Sequence, residues 1–486
     1  LGAVLAEART ASARRRHARV NPITEISPYD RLCWPEGQLE CALATGRHRR
    51  ELIAYFGERE YQLLAGLARS AERARRRRSH ATAGADERAA SGRSRRVRLA
   101  ARSVARVYLL PGLMGSQLGW PRAATEPPEL LWLDPFDIVH GGLTALHWPA
   151  HVQHPADPPL TTLGVIPHTY LALKLRLIAA GFEVVMYDYD WRADLGGLAH
   201  ELAARLGADP AGELVLLGHS MGGLLARAAL ARLSATVPAK RIRRVILLGT
   251  PHAGSIGAVQ ALRATYPLLL RLAAMDREHD APALTRGVFR SFASLYQMLP
   301  EGCDGLDLFA PAHWPGARRA AHASAAPDAR LLEAAREFRR TLVPPDERQV
   351  CIVGTGQRTV TGLMRIGAQF RYEVSSAGDG TVAAASATLP GAQSYSLRCE
   401  HSELPRSERV AAAIVELARR GDTAQLPAGV RARKGRCVYV TDTMLRNAFA
   451  AKLDWHHLTA AARRRYMNRL NAPPALYHAR ARPALR

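Results

Sequence analysis

From Arg106 onward, short runs of β-branched and leucine side chains alternate with longer stretches of helical period. The strand candidates are Val107–Leu110, Glu183–Tyr187, Leu214–Leu217, Val245–Leu248, Val350–Val353 and Ser394–Leu397. Between them, Thr169–Ala180, Leu198–Leu206, Gly222–Leu233 and Glu408–Ala418 space apolar side chains as a helix does. Continuous apolar strands alternating with helices predict an α/β fold whose mostly parallel sheet is buried on both faces. One stretch breaks the rhythm, because Ser255 to Arg348 separates two strands. Such an insertion is too long for an ordinary connection and is usually functional when ordered. It holds the leucine-rich Val259–Ala273 and then Ala329–Leu342. Its apolar stripe, Leu262, Tyr266, Leu269, Leu270 and Ala273, predicts a helical cap over 256–345, either packed on the core or serving as a lid.

The flanks have a different texture. Residues 1–105 read as a basic N-terminal extension with a short helical pair over 46–71. The arginine run Arg75–Arg78 and the Ala/Gly/Ser/Arg stretch 79–103 lack an apolar period and read as a linker. The main α/β domain spans 106–425. A basic tail, 426–486, offers a helix over Thr443–Leu453 and another over Ala460–Leu470 capped by Thr459.

The chain has 486 residues, of which 48% are hydrophobic, so a large core is expected and disorder is not. No stretch approaches the apolar length of a membrane-spanning helix. Lys+Arg is 67 against 43 for Asp+Glu, a net charge of +24. Residues 1–106 carry +12 and 431–486 carry +11, which leaves +1 for the body between them. A near-neutral body with basic ends argues against one nucleic-acid-binding surface and allows peripheral contact with an anionic membrane. Only four of the 67 cations are lysine, and the arginine runs lack interleaved aromatics. Coding bias could also supply this arginine excess. The six cysteines are scattered with no CxxC pair, so no metal site is expected. Their sparse use suits a reducing, cytoplasmic setting.

The chemistry centres on Gly218-His219-Ser220-Met221-Gly222, directly after a strand and directly before a helix. That context is what a nucleophile elbow requires, with the Ser220 hydroxyl presented at a helix N-terminus. Leu110-Pro111-Gly112-Leu113-Met114-Gly115 follows another strand. An oxyanion hole takes one backbone N–H from the residue after the nucleophile, Met221, and one from such a loop. Leu113 is the assignment, with Met114 as the alternative. The order Ser…Asp…His then points to Asp379, glycine-flanked in Gly378-Asp379-Gly380, and to His401 just past the last strand. His401 would act as general base and acid, and Asp379 would orient it. No cofactor is needed for this chemistry. His219 reads as a packing residue.

These pieces together resemble the lecithin:cholesterol acyltransferase family of the α/β-hydrolases. The matching residues are Leu110–Leu118, Tyr189-Asp190-Trp191-Arg192, the elbow, Gly378–Val382 and His401–Pro405, over about 106–420. The resemblance implies the same triad and oxyanion hole, and a lipid or other acyl ester as substrate. Gly249-Thr250-Pro251-His252-Ala253-Gly254-Ser255 departs from it and looks more like general lipases and glycosylphosphatidylinositol-deacylating enzymes. Trp191 and His252 become candidates for substrate contact, alongside Met114, although both also suit packing roles. Three functions compete: acyl transfer or hydrolysis on lipid esters, an esterase or polyester depolymerase acting away from membranes, and a basic binding protein on an inactive scaffold. The intact elbow, Asp379 and His401 speak against the last.

Overall fold

The computed structural model describes residues 37–90, 105–122, 128–148, 159–233, 237–303, 305–315 and 326–478. Six strands form the central sheet, in the order Gln393–Arg398, Gln349–Thr355, Ile242–Leu248, Leu214–His219, Arg106–Leu110 and Glu183–Met186. All five pairings are parallel. They are the six apolar runs of the sequence. Successive side chains serve opposite faces. Tyr108, Leu110, Leu216 and Leu247 join one core cluster, while Val107, Leu109, Val215 and Ile246 join another. Both faces are therefore dry, as continuous apolar strands require.

Helices Pro167–Ala179, Leu195–Ala208, Met221–Leu233 and Glu408–Arg420 connect and cover these strands. Their ends carry local start and stop signals. Asp194 accepts from Gly197 N–H at 2.6 Å, and Ser407 accepts from Val410 N–H at 3.3 Å. Gly421 ends the last helix at φ +93°.

Two three-stranded antiparallel sheets were not legible as continuous runs. One orders Glu129–Trp132, Ser116–Trp120 and Thr161–Val165. The other orders Val438–Thr441, Gln369–Ser375 and Thr359–Ile366. The central strand of the second alternates instead: Phe370, Tyr372 and Val374 point inward and Gln369, Arg371 and Glu373 do not. The C-terminal stretch thus supplies a strand as well as the short helices Asp442–Ala448 and Ala460–Asn468. Thr459 caps the latter by accepting from Ala462 N–H at 3.2 Å.

At the other end, helices Gln38–Thr45, Arg49–Phe56 and Glu58–Ala90 precede the sheet. The last runs well into the stretch read as a linker. Alanine, arginine and glutamate favour helix even without an apolar face to bury. Leu43, Leu64 and Ala71 pack with Leu171, Leu175 and Ile178 of helix Pro167–Ala179. Inside that contact Lys174 Nζ lies 2.5 Å from Glu40, which Arg75 also reaches at 2.6 Å. Lys174 and Glu40 are both buried. Removing one partner of a buried pair leaves the other charge without compensation. Glu40→Ala should therefore cost about 3–5 kcal/mol in urea unfolding. A loss well below 1 kcal/mol would show that this helix contact carries little of the stability.

Candidate active site

Ser220 sits at the C-terminal end of strand Leu214–His219, where the chain turns into helix Met221–Leu233. Its φ is +55°, a strained value for a residue with a side chain. Two hydrogen bonds hold the turn: Ser220 N–H donates to Leu248 O at 2.8 Å, and Gly223 N–H donates to Ser220 O at 2.9 Å. A Cβ on Gly222 would lie 2.4 Å from the carbonyl oxygens of Leu110 and Pro111. Only glycine lets the helix start this close to the neighbouring strand. Met221 opens the helix, so its amide is among those without an intrahelical acceptor.

The loop after strand Arg106–Leu110 crosses in front of the serine. A Cβ on Gly112 would meet Ser220 Cβ at 2.9 Å. Leu113 and Met114 line the same cavity as Ser220. Met114 adopts φ +62°, and its carbonyl accepts from Trp132 Nε1 at 2.9 Å.

Asp379 and His401 meet at this end of the sheet. His401 Nδ1 lies 2.7 Å from Asp379 Oδ2, and His401 N–H donates to Asp379 O at 2.8 Å. The other carboxylate oxygen accepts from Thr381 N–H at 3.0 Å and Val382 N–H at 2.7 Å. The aspartate is buried and its carboxylate orientation is fixed on both sides. A neutral imidazole whose Nδ1–H donates a hydrogen bond to this carboxylate keeps Nε2 free to accept. His401 and Ser220 line one cavity of about 370 Å³.

The walls of that cavity come from several parts of the chain, three of which stand out. Leu113, Met114 and Trp132 form one side. The insertion adds Tyr266, Leu268, Leu269, Phe289 and Met298. The apolar stripe read there is not one surface. Tyr266 and Leu269 face the cavity, whereas Leu262, Leu270 and Ala273 are core residues away from it. The chain breaks between helices Ile256–Leu262 and Pro267–Met275, with Ala264 at φ +57°, so helical spacing does not carry across. The third wall, Arg464 and Met467–Ala472, comes from the C-terminal tail. Nothing in its composition signalled this. The tail is pinned there by Arg464 Nη1 to Ala54 O at 3.0 Å and Arg271 Nη1 to Leu470 O at 2.7 Å.

Two of the residues expected to touch substrate lie elsewhere, which corrects that expectation. Trp191 is fully buried between Trp132 and Phe292, with ring centroids 5.4 and 5.5 Å away, and its Nε1 donates to Ser116 O at 3.0 Å. His252 is buried behind its loop, 3.3 Å from Arg227 Nη1 and 3.5 Å from Cys351 Sγ. Burial, with Arg227 and Arg339 nearby, holds its pKa well below the ordinary histidine value. Neither lines the cavity. His219, read as simple packing, is hydrogen-bonded at both ring nitrogens, to Tyr170 Oη at 2.8 Å and to His401 O at 3.1 Å.

Residues 178–324 match the family described as lecithin:cholesterol acyltransferase, which bears out the resemblance over the elbow and much of the insertion. That match supports a hydrolase or acyltransferase of acyl esters. No curated protein matches the chain. Among solved structures, the mature form of the Bacillus licheniformis lipase BlEst2 aligns at 15% identity and TM-score 0.30, covering 63% of this chain and 87% of that one. Its propeptide form aligns at the same identity and TM-score, and 48% of that longer chain is covered. A structure titled as the Tle4–Tli4 complex aligns at 12% identity and TM-score 0.37, covering 66% and 99%.

Gly249 tests how tightly Asp379 and His401 are held together. It has φ +54°, and a Cβ there would lie 3.1 Å from both Asp379 Oδ2 and His401 Nδ1 and 2.9 Å from Leu404. Gly249→Ala should abolish the downfield proton resonance of the His401–Asp379 hydrogen bond while leaving the far-ultraviolet spectrum unchanged. Retention of that resonance would mean the pair tolerates displacement.

Proposed function

We propose that the chain is a serine-dependent enzyme that transfers the acyl group of lipid esters, to water or to an alcohol, through an acyl-enzyme. The carrying observation is the 2.7 Å contact of the buried Asp379 with His401, which lines one cavity with Ser220 on its strained turn. In this reading Ser220 Oγ attacks the ester carbonyl and His401 Nε2 takes its proton. The Leu113 and Met221 amides receive the developing oxyanion, one such donor being worth about 3–4 kcal/mol. The tetrahedral intermediate collapses, and the imidazolium gives its proton to the leaving alcohol. Asp379 keeps the tautomer and stabilises the imidazolium without itself taking the proton. Water or a second alcohol then repeats the sequence on the acyl-Ser220 ester.

The apolar part of the cavity wall, with Leu113, Leu268, Leu269 and Phe289, favours a long acyl chain over a polar ester. The basic ends favour peripheral attraction to anionic lipid, each engaged arginine contributing about 1 kcal/mol near the surface. No helix among the described residues is long and apolar enough to cross a membrane.

A fluorophosphonate should label Ser220 stoichiometrically and fail to label Ser220→Ala. Labelling that persists in Ser220→Ala would remove the nucleophile assignment. Asp379→Asn should lower kcat by about four orders of magnitude, as an acid that fixes the tautomer does elsewhere. Near-normal turnover would send the orienting role to another carboxylate. Identifying acyl products from a phospholipid and a triglyceride, with and without an added alcohol, separates hydrolysis from transfer.

The cavity wall also makes a chain-length prediction. Leu269→Asn should raise KM for a long-chain ester about tenfold, the lost burial of one leucine being worth about 1.5–3 kcal/mol, with little change for an acetyl ester. Equal effects on both would leave the cap with a structural role only.

A further inference from the structure

Three hydrogen bonds run in series behind the candidate active site. Gly112 N–H donates to Tyr170 Oη at 2.8 Å. Tyr170 Oη lies 2.8 Å from His219 Nδ1. His219 Nε2 lies 3.1 Å from His401 O. Both ends of the series have a fixed sense, because a backbone N–H only donates and a carbonyl only accepts. His219 must therefore carry its proton on Nε2. Its bare Nδ1 then accepts the Tyr170 hydroxyl proton, and the Tyr170 oxygen is left to accept from Gly112.

A second proton on His219 breaks this arrangement. It would face the Tyr170 hydroxyl, which has no other acceptor among the described residues. It would also place a cation in a ring whose centroid is 4.7 Å from that of His401. His401 must itself become imidazolium during acyl transfer, and two such cations at that distance disfavour each other. Burial acts the same way, holding the His219 pKa well below the ordinary histidine value, with His401 as the second cause. Tyr170 and His401 are the titratable groups that touch the His219 ring.

We propose that His219 is a positioning residue, a permanently neutral imidazole that Tyr170 locks as the Nε2–H tautomer and that ties the main chain of His401 to the loop carrying Leu113. The inference rests on Ser220 and His401 acting as nucleophile and base. Through it the oxyanion loop, the residue before the nucleophile and the base are held as one unit. The His219 ring, tilted at 38° beside that of His401, adds no positive charge at the step where His401 takes the proton.

The test uses long-range proton–nitrogen correlation on the 15N-labelled full chain, with kinetics of Tyr170→Phe on a short-chain ester. The wild-type His219 ring should show the Nε2–H tautomer and should not titrate between about pH 5 and 9, consistent with a buried neutral imidazole. Tyr170→Phe removes one hydroxyl from the series and should lower kcat about tenfold with KM nearly unchanged, the size expected for one lost hydrogen bond. An Nδ1–H tautomer or an imidazolium in the wild type would overturn the proposal, and so would a wild-type kcat in Tyr170→Phe. The tautomer measurement stands even if the variant fails to fold. Fluorophosphonate labelling of the wild type and of Ser220→Ala separates the two readings: label confined to the wild type keeps Ser220 as the nucleophile when only the His219 role fails, and label that persists in Ser220→Ala removes Ser220 itself.

Discussion

The close approach of backbone to backbone around Ser220 is the constraint on which the rest of the site depends. A strand at the centre of a parallel sheet must turn directly into a helix, and the serine in the turn takes φ +55°. Strain of this kind costs about 1–3 kcal/mol and persists only where the surroundings over-determine it. Here they do. The Ser220 amide is held by Leu248 O, and the helix start is pressed against Leu110 and Pro111. The two flanking strands therefore fix where the hydroxyl stands, and the loops that leave those strands fix what stands around it.

That arrangement explains why the partners converge from distant parts of the chain. Parallel strands all end their C-termini on one edge, so the loops after them gather there. The loops after Arg106–Leu110, Ile242–Leu248, Gln349–Thr355 and Gln393–Arg398 bring Gly112, Gly249, Asp379 and His401 together. Asp379 arrives by a longer route, after the hairpin Thr359–Ile366 and Gln369–Ser375, and a bridge to Gln357 returns it to the sheet edge. Its buried carboxylate is held by two amides of its own turn as well as by His401. A carboxylate held this rigidly fixes the orientation of the imidazole it contacts.

The arginine excess also has a structural side. Many guanidinium groups are spent on carbonyl oxygens rather than on carboxylates. Arg241 donates to the carbonyls of Leu206, Gly207 and Ala211 at the end of a helix. Arg463 reaches Trp455 O and His456 O, and Arg464 reaches Ala54 O. Cations are favoured at helix C-termini, where carbonyls lack intrahelical partners. A planar fork of five donors can serve several carbonyls at once, which an ammonium on a flexible stem does less well. Through Arg464 the C-terminal tail meets helix Arg49–Phe56 of the N-terminal extension beside the cavity.

By itself the sequence determined the six-strand parallel sheet and the elbow, because both are written locally. Apolar runs such as Val245–Leu248 encode burial on two faces, and Gly218-His219-Ser220-Met221-Gly222 encodes a turn that only its own residue types permit. The order of Ser220, Asp379 and His401 was legible for the same reason, each lying in a short loop with a recognisable neighbour. What surrounds them depended on contacts between residues far apart in the chain. Trp191 and His252 were drawn toward the site by their positions in motifs, yet packing turned both into the interior. Tyr170 and His219 are 49 residues apart, and His219 and His401 are 182 apart, so no local period could reveal that they touch. The tail wall from Met467 to Ala472 is set by where Arg271 and Ala54 stand in space, and only the folded chain decided that.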